Sequence, residues 1–366
     1  MSAQLGAITA VHSLVSKVFQ QPKGDLADRL NGRVTVFVLS VSAGLLLSTH
    51  FWGHPITCWT PAEFPKIWSD FVDQYCYVHG TYFVPLNCAE KERRQLINDR
   101  VACELVYDRE ERQKIFISYY QWIPYILAAQ AILFYLPRFF WRLLCNFSGF
   151  DLTSTIRFID MRWVQSNGDA TKFIDREAQF EKPSSTYLWD GLRVSRRHHG
   201  QLSLYYVIYT IVLATNSWIQ FLWLNSIIQS PADDLWGPSV IADLIVGKDW
   251  EDSGHFPRIT HCDFYKRKPA SVQTEAVLCV LNLNIYYEKL LLFLWFWMAF
   301  VAIVSTANCV SWSLTLCFKQ RAQRKIRSYL MEHLHAPYLE KFFKTLGPDG
   351  LFILHQISLN VGDLPA

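Results

Sequence analysis

Four long stretches of the sequence contain no aspartate, glutamate, lysine or arginine. They cover residues 34–51, 115–137, 202–232 and 290–318. Because an α-helix rises about 1.5 Å per residue, roughly 20 apolar residues are needed to cross the ~30 Å hydrocarbon layer of a membrane. Only 18% of the 366 residues are charged, compared with about 25% in a typical soluble domain. The sequence therefore predicts an all-α membrane protein with four transmembrane helices rather than an ordinary soluble enzyme.

The amino-terminal segment lacks the features of a cleavable secretory signal. It has no basic residue before Lys17, no unbroken apolar core and no cleavage pattern of small residues. We therefore expect the first span to remain in the protein.

The distribution of basic residues predicts which side of the membrane each loop occupies. If residues 1–33, 138–201 and 319–366 share one side, that side carries 21 basic and 13 acidic residues. The opposite side, formed by residues 52–114 and 233–287, carries 13 basic and 18 acidic residues. Since lysine and arginine near span ends favour the cytoplasm, we expect both termini to be cytoplasmic and two long loops to be extracellular.

Six of the nine cysteines lie in the two predicted extracellular loops, where the compartment is oxidising. They are Cys58, Cys76, Cys88, Cys103, Cys262 and Cys279. An even number of cysteines in such loops is typical of a disulfide framework, although unpaired apolar packing is an alternative. Four framework cysteines allow three connectivities, and spacing alone does not select one.

Polar residues within the predicted spans indicate helix faces that avoid lipid. The third span contains Asn216, Ser217, Gln220, Asn225 and Ser226, and the fourth contains Ser305, Thr306 and Asn308. These residues could pack between helices or line an aqueous path. In the second span, Pro124 cannot donate to the carbonyl of Tyr120, which predicts a kink there.

Nothing in the sequence indicates catalysis or a bound cofactor. There is no phosphate-binding GxxxxGK[ST] loop and no HExxH zinc motif. His198 and His199 lie beside basic residues, and we interpret them as solvated surface rather than as metal ligands. We consider zinc binding by His79, His255 and His261 a minor alternative, so the sequence predicts no metal site. A net charge of +3 is too small to indicate nucleic-acid binding.

Short segments along the chain resemble a known family. The second span opens with Tyr119-Tyr120-Gln121-Trp122-Ile123-Pro124. Accompanying segments, in chain order, are Pro22-Lys23-Gly24-Asp25, Cys58-Trp59-Thr60-Pro61, Gln74-Tyr75-Cys76, Gly80-Thr81-Tyr82, Gly254-His255-Phe256-Pro257-Arg258, Cys262-Asp263-Phe264, Asn284-Ile285-Tyr286-Tyr287-Glu288-Lys289 and Leu294-Trp295-Phe296-Trp297. On a four-span chain this ordered set resembles the innexins, the invertebrate gap-junction channel proteins. The family motif corresponds to Tyr119, Tyr120, Gln121, Trp122 and Pro124.

The resemblance implies a fold, an activity and partners. Identical subunits, about eight of them, are expected to form a ring around a pore in the plasma membrane, with membrane lipid and other family members as further partners. Two rings from neighbouring cells dock through the outer loops and pass ions and small solutes. The resemblance also implies two disulfides between the loops, Cys58 with Cys279 and Cys76 with Cys262.

Two departures from the family pattern are visible. Residues 87–112 are longer and more charged than the family loop, and they contain Cys88 and Cys103, which we expect to form an extra pair across a turn at Asn98-Asp99. The chain also ends at Ala366, where the resemblance leads us to expect a longer cytoplasmic domain.

The amino terminus has an amphipathic pattern. Leu5, Ile8, Val11, Val15 and Val18 recur at helical spacing. A helix on the membrane surface is one interpretation, but such helices are usually rich in lysine and arginine. The resemblance implies instead that the segment folds into the pore, whose narrowest part is lined by Met1, Ser2, Ala3, Gln4, Leu5 and Gly6.

The predicted organisation is therefore a four-helix subunit with disulfide-linked extracellular loops and a helical cytoplasmic domain. The segments are an N-terminal pore helix and linker (1–32), TM1 (33–51), extracellular loop 1 (52–114), TM2 (115–137), a cytoplasmic loop (138–201), TM3 (202–230), extracellular loop 2 (231–287), TM4 (288–317) and a truncated C-terminal region (318–366). The predicted function is a gap-junction channel subunit. Alternatives are an undocked plasma-membrane pore, a non-conducting adhesion protein and, less favoured, a secondary transporter; neither outer loop contains a glycosylation sequon that would obstruct docking.

Overall fold

A computed structural model of the chain describes residues 24–82, 116–167, 180–197, 201–228, 236–246, 256–268, 271–318, 323–324, 327 and 336–362. The predictions for residues 1–6, for Cys88 and Cys103, and for His198, His199 and His255 lie outside these ranges.

Four helices in the described part of the chain are long and apolar enough to cross a membrane. They are α1 (Leu26–Trp52), α3 (Ile123–Ser148), α6 (Leu202–Ile228) and α8 (Asn282–Cys317), of which Asn282–Thr315 forms the candidate span. Each of these helices overlaps one of the four charge-free stretches. This confirms the predicted four-span, mainly helical fold class. Near its start α1 contains a π-helical segment, Leu30–Thr35.

Five shorter or more polar helices complete the helical part that the structure describes. They are α2 (Lys66–His79), α4 (Leu152–Asn167), α5 (Lys182–Arg197), α7 (Trp236–Val246) and α9 (Ala336–Asn360). Asp151 caps α4, because its carboxylate accepts the backbone N–H groups of Thr153 and Ser154 at 3.0 and 3.2 Å. Helix α9 is interrupted at Gly347, whose φ of 70° is left-handed, and Pro348 follows.

The described strands form one antiparallel sheet in the order β1-β5-β4-β2-β3. Strands β1 (Thr57–Trp59), β2 (Thr81–Tyr82) and β3 (Phe116–Ile117) lie between the first and second spans. Strands β4 (Ile259–Lys268) and β5 (Ser271–Val280) precede the fourth span and pair over their whole length. The sheet therefore combines both inter-span loops, because β1 and β2 flank the hairpin on either side.

The chain divides into two compact units. The sheet unit consists of residues 38–130 and 220–298, and the helical unit consists of residues 1–37, 131–219 and 299–366. The core of the helical unit surrounds Tyr206, whose ring packs against Trp141, Trp312 and Phe352 at centroid distances of 5.2, 4.9 and 4.8 Å. All four spanning helices contribute residues to both units.

The predicted kink at Pro124 is wrong. Helix α3 begins at Ile123, so Pro124 lies in the first turn, where a backbone N–H needs no partner within the helix. The carbonyl of Tyr120 instead accepts a hydrogen bond from the hydroxyl of Tyr287 at 2.8 Å.

A second proline, Pro137, lies inside α3, which continues to Ser148. A proline within a helix leaves the carbonyl four residues earlier without its usual donor. That carbonyl belongs to Leu133, and it accepts the side-chain amide of Asn216 from α6 at 3.3 Å. Asn216 thus faces a neighbouring helix, as the sequence predicts.

Candidate functional site: the disulfide-linked sheet and the aromatic motif

Two disulfides hold the sheet unit together. Cys58 on β1 is directly opposite Cys279 on β5, with a Cα–Cα distance of 3.9 Å, and the two are bonded. Cys76 on α2 is bonded to Cys262 on β4, with a Cα–Cα distance of 5.8 Å. Both bridges join the first inter-span loop to the second, in the same pairs that the family resemblance implies.

A half-buried aspartate supports the first bridge. The carboxylate of Asp73 on α2 accepts the backbone N–H of Cys58 at 2.8 Å. Burial raises the pKa of Asp73, and the hydrogen bond from Cys58 partly offsets that rise. Helix α2 is therefore attached to β1 by Asp73 and to β4 by its disulfide.

The aromatic motif before the second span caps helix α2. The hydroxyl of Tyr120 donates to the carbonyl of Tyr77 at 3.1 Å. The amide of Gln121 donates to the carbonyls of Tyr77 and Val78 at 2.5 and 3.2 Å. The last carbonyls of an α-helix have no partner within the helix. The motif therefore supplies the donors that end α2, and it holds the loop helix against the start of α3.

His50 extends this contact to the first and fourth spans. Its Nδ1 lies 2.6 Å from the hydroxyl of Tyr77 and its Nε2 lies 2.9 Å from the hydroxyl of Tyr287. Since the single Tyr287 proton is donated to the carbonyl of Tyr120, we assign the Nε2 proton of His50 as the donor to Tyr287. Nδ1 then accepts from Tyr77. A continuous chain of hydrogen bonds thus runs from α2 through His50 and Tyr287 to the aromatic motif.

The tyrosine hydroxyls around the aromatic motif stay protonated at neutral pH. Burial raises the pKa of Tyr77 to about 12, and it also raises the pKa values of Tyr119 and Tyr120 above their ordinary value. Neutral hydroxyls remain hydrogen-bond donors across the physiological range. The other motif residues differ in environment, since Trp122 is 63% exposed and Pro124 lies in the first turn of α3.

An ion pair fixes the second loop to the fourth span. Glu288 on α8 is buried, and one of its oxygens lies 3.0 Å from a guanidinium nitrogen of Arg258. Asn284 donates to the carbonyl of Pro257 at 2.7 Å. The family-like segment around Arg258 is thereby held against the family-like start of α8.

Helix α2 also presents an exposed apolar stripe, formed by Ile67, Phe71 and Val78. Their side chains are 79%, 62% and 74% exposed. The spacing of four and seven residues places them on one helical face. An exposed apolar patch outside a spanning helix is typical of a protein–protein contact.

The polar residues of the third span are mainly turned into the protein. In the sheet unit, Asn225 accepts the indole N–H of Trp295 at 2.9 Å, and the backbone of Gln220 accepts the amide of Gln130 at 3.2 Å. In the helical unit, Ser217 donates to Asn31 at 2.7 Å. Ser226 is exposed. The side chains of Asn216, Ser217 and Asn225 thus have partners on other helices or segments, and Gln220 is buried, which supports the packing interpretation for these four residues.

The helical unit contains a polar ladder that the sequence analysis missed. Asp25, Asp28 and Asn31 lie three residues apart at the start of α1. One oxygen of Asp25 accepts both the hydroxyl of Tyr206 and the indole N–H of Trp312 at 2.5 Å. Asp28 accepts the hydroxyl of Tyr209.

The same ladder reaches the C-terminal helix α9. The second oxygen of Asp25 accepts the amide of Gln356 at 3.4 Å. The backbone N–H of Gly24 donates to Asn360 at 3.0 Å. Gly24 has a left-handed φ of 94°, and a Cβ there would lie 2.3 Å from Asp28. One feature of the sequence could have indicated these contacts. Asp25 and Asp28 are three residues apart, and so are their partners Tyr206 and Tyr209.

Three cysteine sulfurs, those of Cys58, Cys76 and Cys279, lie within 4.8 Å of one another. A metal requires thiolates, and these sulfurs are in disulfides. The cluster is therefore structural. Three further cysteines in the described part of the chain, Cys145, Cys309 and Cys317, are free thiols.

Comparison with known proteins identifies the family. The family model described as Innexin matches residues 24–366. Innexin-6 of Caenorhabditis elegans is 51% identical over 372 positions, covering 100% of this chain and 91% of that protein. Innexin-3 of the same organism is 33% identical over 313 positions, covering 84% of this chain and 71% of that protein. Innexin-12, also from C. elegans, is 29% identical over 367 positions, with coverage of 98% and 90%.

These matches agree with the four spans and the disulfide-linked sheet. Innexins are channel proteins rather than enzymes, and they assemble as oligomers in the plasma membrane. The chain therefore belongs to the innexin family of gap-junction channel subunits.

Proposed function

We propose that this chain forms rings that dock between neighbouring cells and pass ions and small solutes. The observation that carries the proposal is the pair of disulfides that joins both inter-span loops into one sheet. Docking requires a rigid surface whose backbone groups are already paired, and cross-linked strands provide such a surface.

The proposed topology places the five-stranded sheet and helix α2 outside the cell and both chain termini inside. Two independent features support it. Disulfides form and persist in oxidising compartments, and the sheet unit contains both of them. Basic residues near span ends favour the cytoplasm, and Arg29, Arg33, Arg138 and Arg142 lie in the helical unit.

We propose a ring of about eight subunits in which the exposed stripe of α2 contacts a neighbouring subunit. Ile67, Phe71 and Val78 lie outside the membrane under the proposed topology, so lipid does not cover them. Burial of each large apolar side chain contributes about 1.5–3 kcal/mol. Membrane lipid and other family members remain proposed partners of the ring.

Residues 1–6 are proposed to line the narrowest part of the pore. This segment carries no acidic side chain. The constriction would then be formed by main chain and small side chains, which predicts a wide pore with weak selectivity among ions.

Cys88 and Cys103 are proposed to form a third bridge within residues 87–112, across a turn at Asn98-Asp99. Such a cross-linked excursion would influence partner choice but would not be needed for the pore. The proposal is tested by alkylating the folded, unreduced protein. Protection of both thiols supports the bridge, and modification of both contradicts it.

Current recorded from paired cells tests the proposed function. Two cells that both express this chain should show junctional current and dye transfer, whereas pairs with one expressing cell should show none. An undocked pore is the second candidate, and it would give current across the membrane of single cells without junctional current. Absence of both currents would contradict the channel function itself.

A further inference from the structure

The helical unit contains a cavity of about 200 Å³ at the start of α1. Three arginines line it, Arg33 from α1 and Arg138 and Arg142 from α3. Arg138 and Arg142 are four residues apart and therefore share one face of α3. Trp141 contributes an aromatic wall, and Ile156 contributes an apolar one. The cavity thus combines a basic cluster with surfaces that accept hydrocarbon.

The charge of the lining is strongly positive. Asp28 is the single carboxylate among the described residues that line the cavity. It is already engaged by the hydroxyl of Tyr209, and it lies 3.5 Å from a nitrogen of Arg138. One acid therefore faces three guanidinium groups.

The basic cluster is closely packed as well as partly shielded from water. Arg33 is half-buried, and it is close enough to Arg138 and Arg29 for their like charges to repel, while Asp28 attracts it. The side chain of Arg138 is only 16% exposed. Clustered like charges in a region of low dielectric destabilise one another, and a bound anion relieves that repulsion.

The arginines lie just outside two charge-free stretches, because Arg33 precedes residues 34–51 and Arg138 follows residues 115–137. Under the proposed topology lipid headgroups are located at this level. Arg142 is exposed, so the basic cluster is accessible from outside the protein. Guanidinium groups bind phosphate oxygens through paired hydrogen bonds. Basic pockets between spanning helices on the cytoplasmic side are known to suit anionic lipid headgroups.

We propose that this cavity binds a phosphate monoester, contributed either by the headgroup of an anionic lipid or by a soluble phosphate. Arg33 and Arg142 contact the phosphate oxygens, and Arg138 is oriented by Asp28. The bound anion would link the start of α1 to the part of α3 that follows Pro137. The assignment of this site to the cytoplasmic leaflet rests on the proposed topology. The binding of phosphate by the arginines does not depend on that topology.

Binding can be measured on the purified full-length oligomer without any channel recording. The protein is reconstituted in phosphatidylcholine alone or in phosphatidylcholine with phosphatidic acid, and retained lipid is counted by native mass spectrometry. A parallel arm adds inorganic phosphate and follows the unfolding temperature, because a ligand that binds only the folded state raises it.

The variants are Arg142→Gln and the double change Arg33→Gln with Arg142→Gln. Arg193→Gln is the matched control, since Arg193 is exposed in the same unit but does not line the cavity. Each arginine near a phosphate contributes about 1 kcal/mol. We therefore expect about fivefold weaker binding in the single variant and more than tenfold weaker binding in the double variant. The control should bind like wild type.

The two arms separate the sources of phosphate. Retention of phosphatidic acid without a response to inorganic phosphate assigns the site to lipid, and responses in both arms assign it to the phosphate group as such. A response to inorganic phosphate alone removes the lipid source. Binding that is absent in both arms, or equal in wild type and the Arg142→Gln variant, overturns the proposal. Size-exclusion elution as the wild-type oligomer shows that each variant has folded.

Discussion

Side chains from other helices donate to two backbone carbonyls in and just before the second span. Tyr287 donates to the carbonyl of Tyr120 at the start of α3, and Asn216 donates to the carbonyl of Leu133 within it. An unpaired carbonyl inside a membrane protein is costly because no water replaces the missing donor. Asn216 therefore supplies the donor that Pro137 removes from α3, whereas Tyr287 holds the aromatic motif against the fourth span.

Tyr287→Phe tests the first of these contacts. The change removes the donor to Tyr120 and the acceptor for His50, so we expect a loss of stability of about 1–3 kcal/mol. Tyr286→Phe is the matched control, because the neighbouring Tyr286 is 59% exposed and should cost less than about 0.5 kcal/mol. Thermal unfolding in detergent measures both. Equal effects of the two changes would show that the hydrogen bonds of the Tyr287 hydroxyl do not stabilise the fold.

Asp25 allows a test of the polar ladder. Asp25→Ala leaves the hydroxyl of Tyr206 and the indole of Trp312 without an acceptor, and we expect it to cost at least about 2 kcal/mol. Asp25→Asn keeps an acceptor oxygen and removes a buried charge, so we expect a change within about 1 kcal/mol. Thermal unfolding in detergent measures the stability of both variants. An Asp25→Asn variant less stable than the Asp25→Ala variant would contradict the role of Asp25 as an acceptor.

The pH dependence of the same residue has a defined sign. Burial raises the pKa of Asp25 above its ordinary value of 3.8. Between 3.8 and the raised pKa the unfolded chain has lost this proton while the folded chain keeps it. The contribution of Asp25 to stability therefore falls as pH rises through that window. Asp25→Asn should remove this part of the pH dependence.

The sequence revealed residue types but not these partners. The spacing of Asp25, Asp28, Tyr206 and Tyr209 was visible, yet Gln356 and Asn360 come from the other end of the chain. A hydrogen bond between residues more than 300 positions apart leaves no local pattern. The disulfide pairing likewise followed from family resemblance, because cysteine spacing alone allowed three connectivities.

At the scale of elements, the two bridges make one unit of α2 and the sheet. A disulfide typically stabilises a fold by about 2–4 kcal/mol. Cys58→Ser should therefore disorder β1, which pairs only with β5 in the described sheet, and we expect it to abolish junctional current. Cys317→Ser is the control, since Cys317 is an exposed free thiol. Normal coupling by the Cys58→Ser variant would contradict the role of the bridge.

The apolar stripe of α2 gives a prediction about assembly. Phe71→Ser removes the central side chain of the stripe, and we expect a larger fraction of dissociated subunits in native gels. Asp70→Ser changes an exposed polar neighbour and should leave assembly unchanged. A Phe71→Ser variant that assembles like wild type would show that this face does not contact the adjacent subunit.

Elements differed in how well the sequence predicted them. The four spans were predictable because long charge-free stretches have few other uses. Strands β2 and β3 are only two residues long, which is too short for an alternating pattern to be recognised. The continuation of α3 beyond Pro137 was also not predicted, since it depends on Asn216 from another helix.

At the scale of the whole molecule, the proposed pore depends on the amino terminus. Deletion of residues 2–17 should change conductance or gating while the ring still assembles, because the deletion leaves the contacts of Gly24, Asp25 and Asn31 with other helices intact. Single-channel recording measures the conductance, and size-exclusion elution reports assembly. A truncated channel that conducts and gates like the full chain would favour a helix on the membrane surface instead.

The central claim is that two rings of this chain dock through the disulfide-linked sheets of their inter-span loops. Electron-microscopic projection images of the purified full-length particle, with a label fused to the C-terminus, test it most directly. We predict double rings of about eight subunits each, with the labels at the two outer ends. Single rings alone, or double rings with the labels at their junction, would contradict the claim.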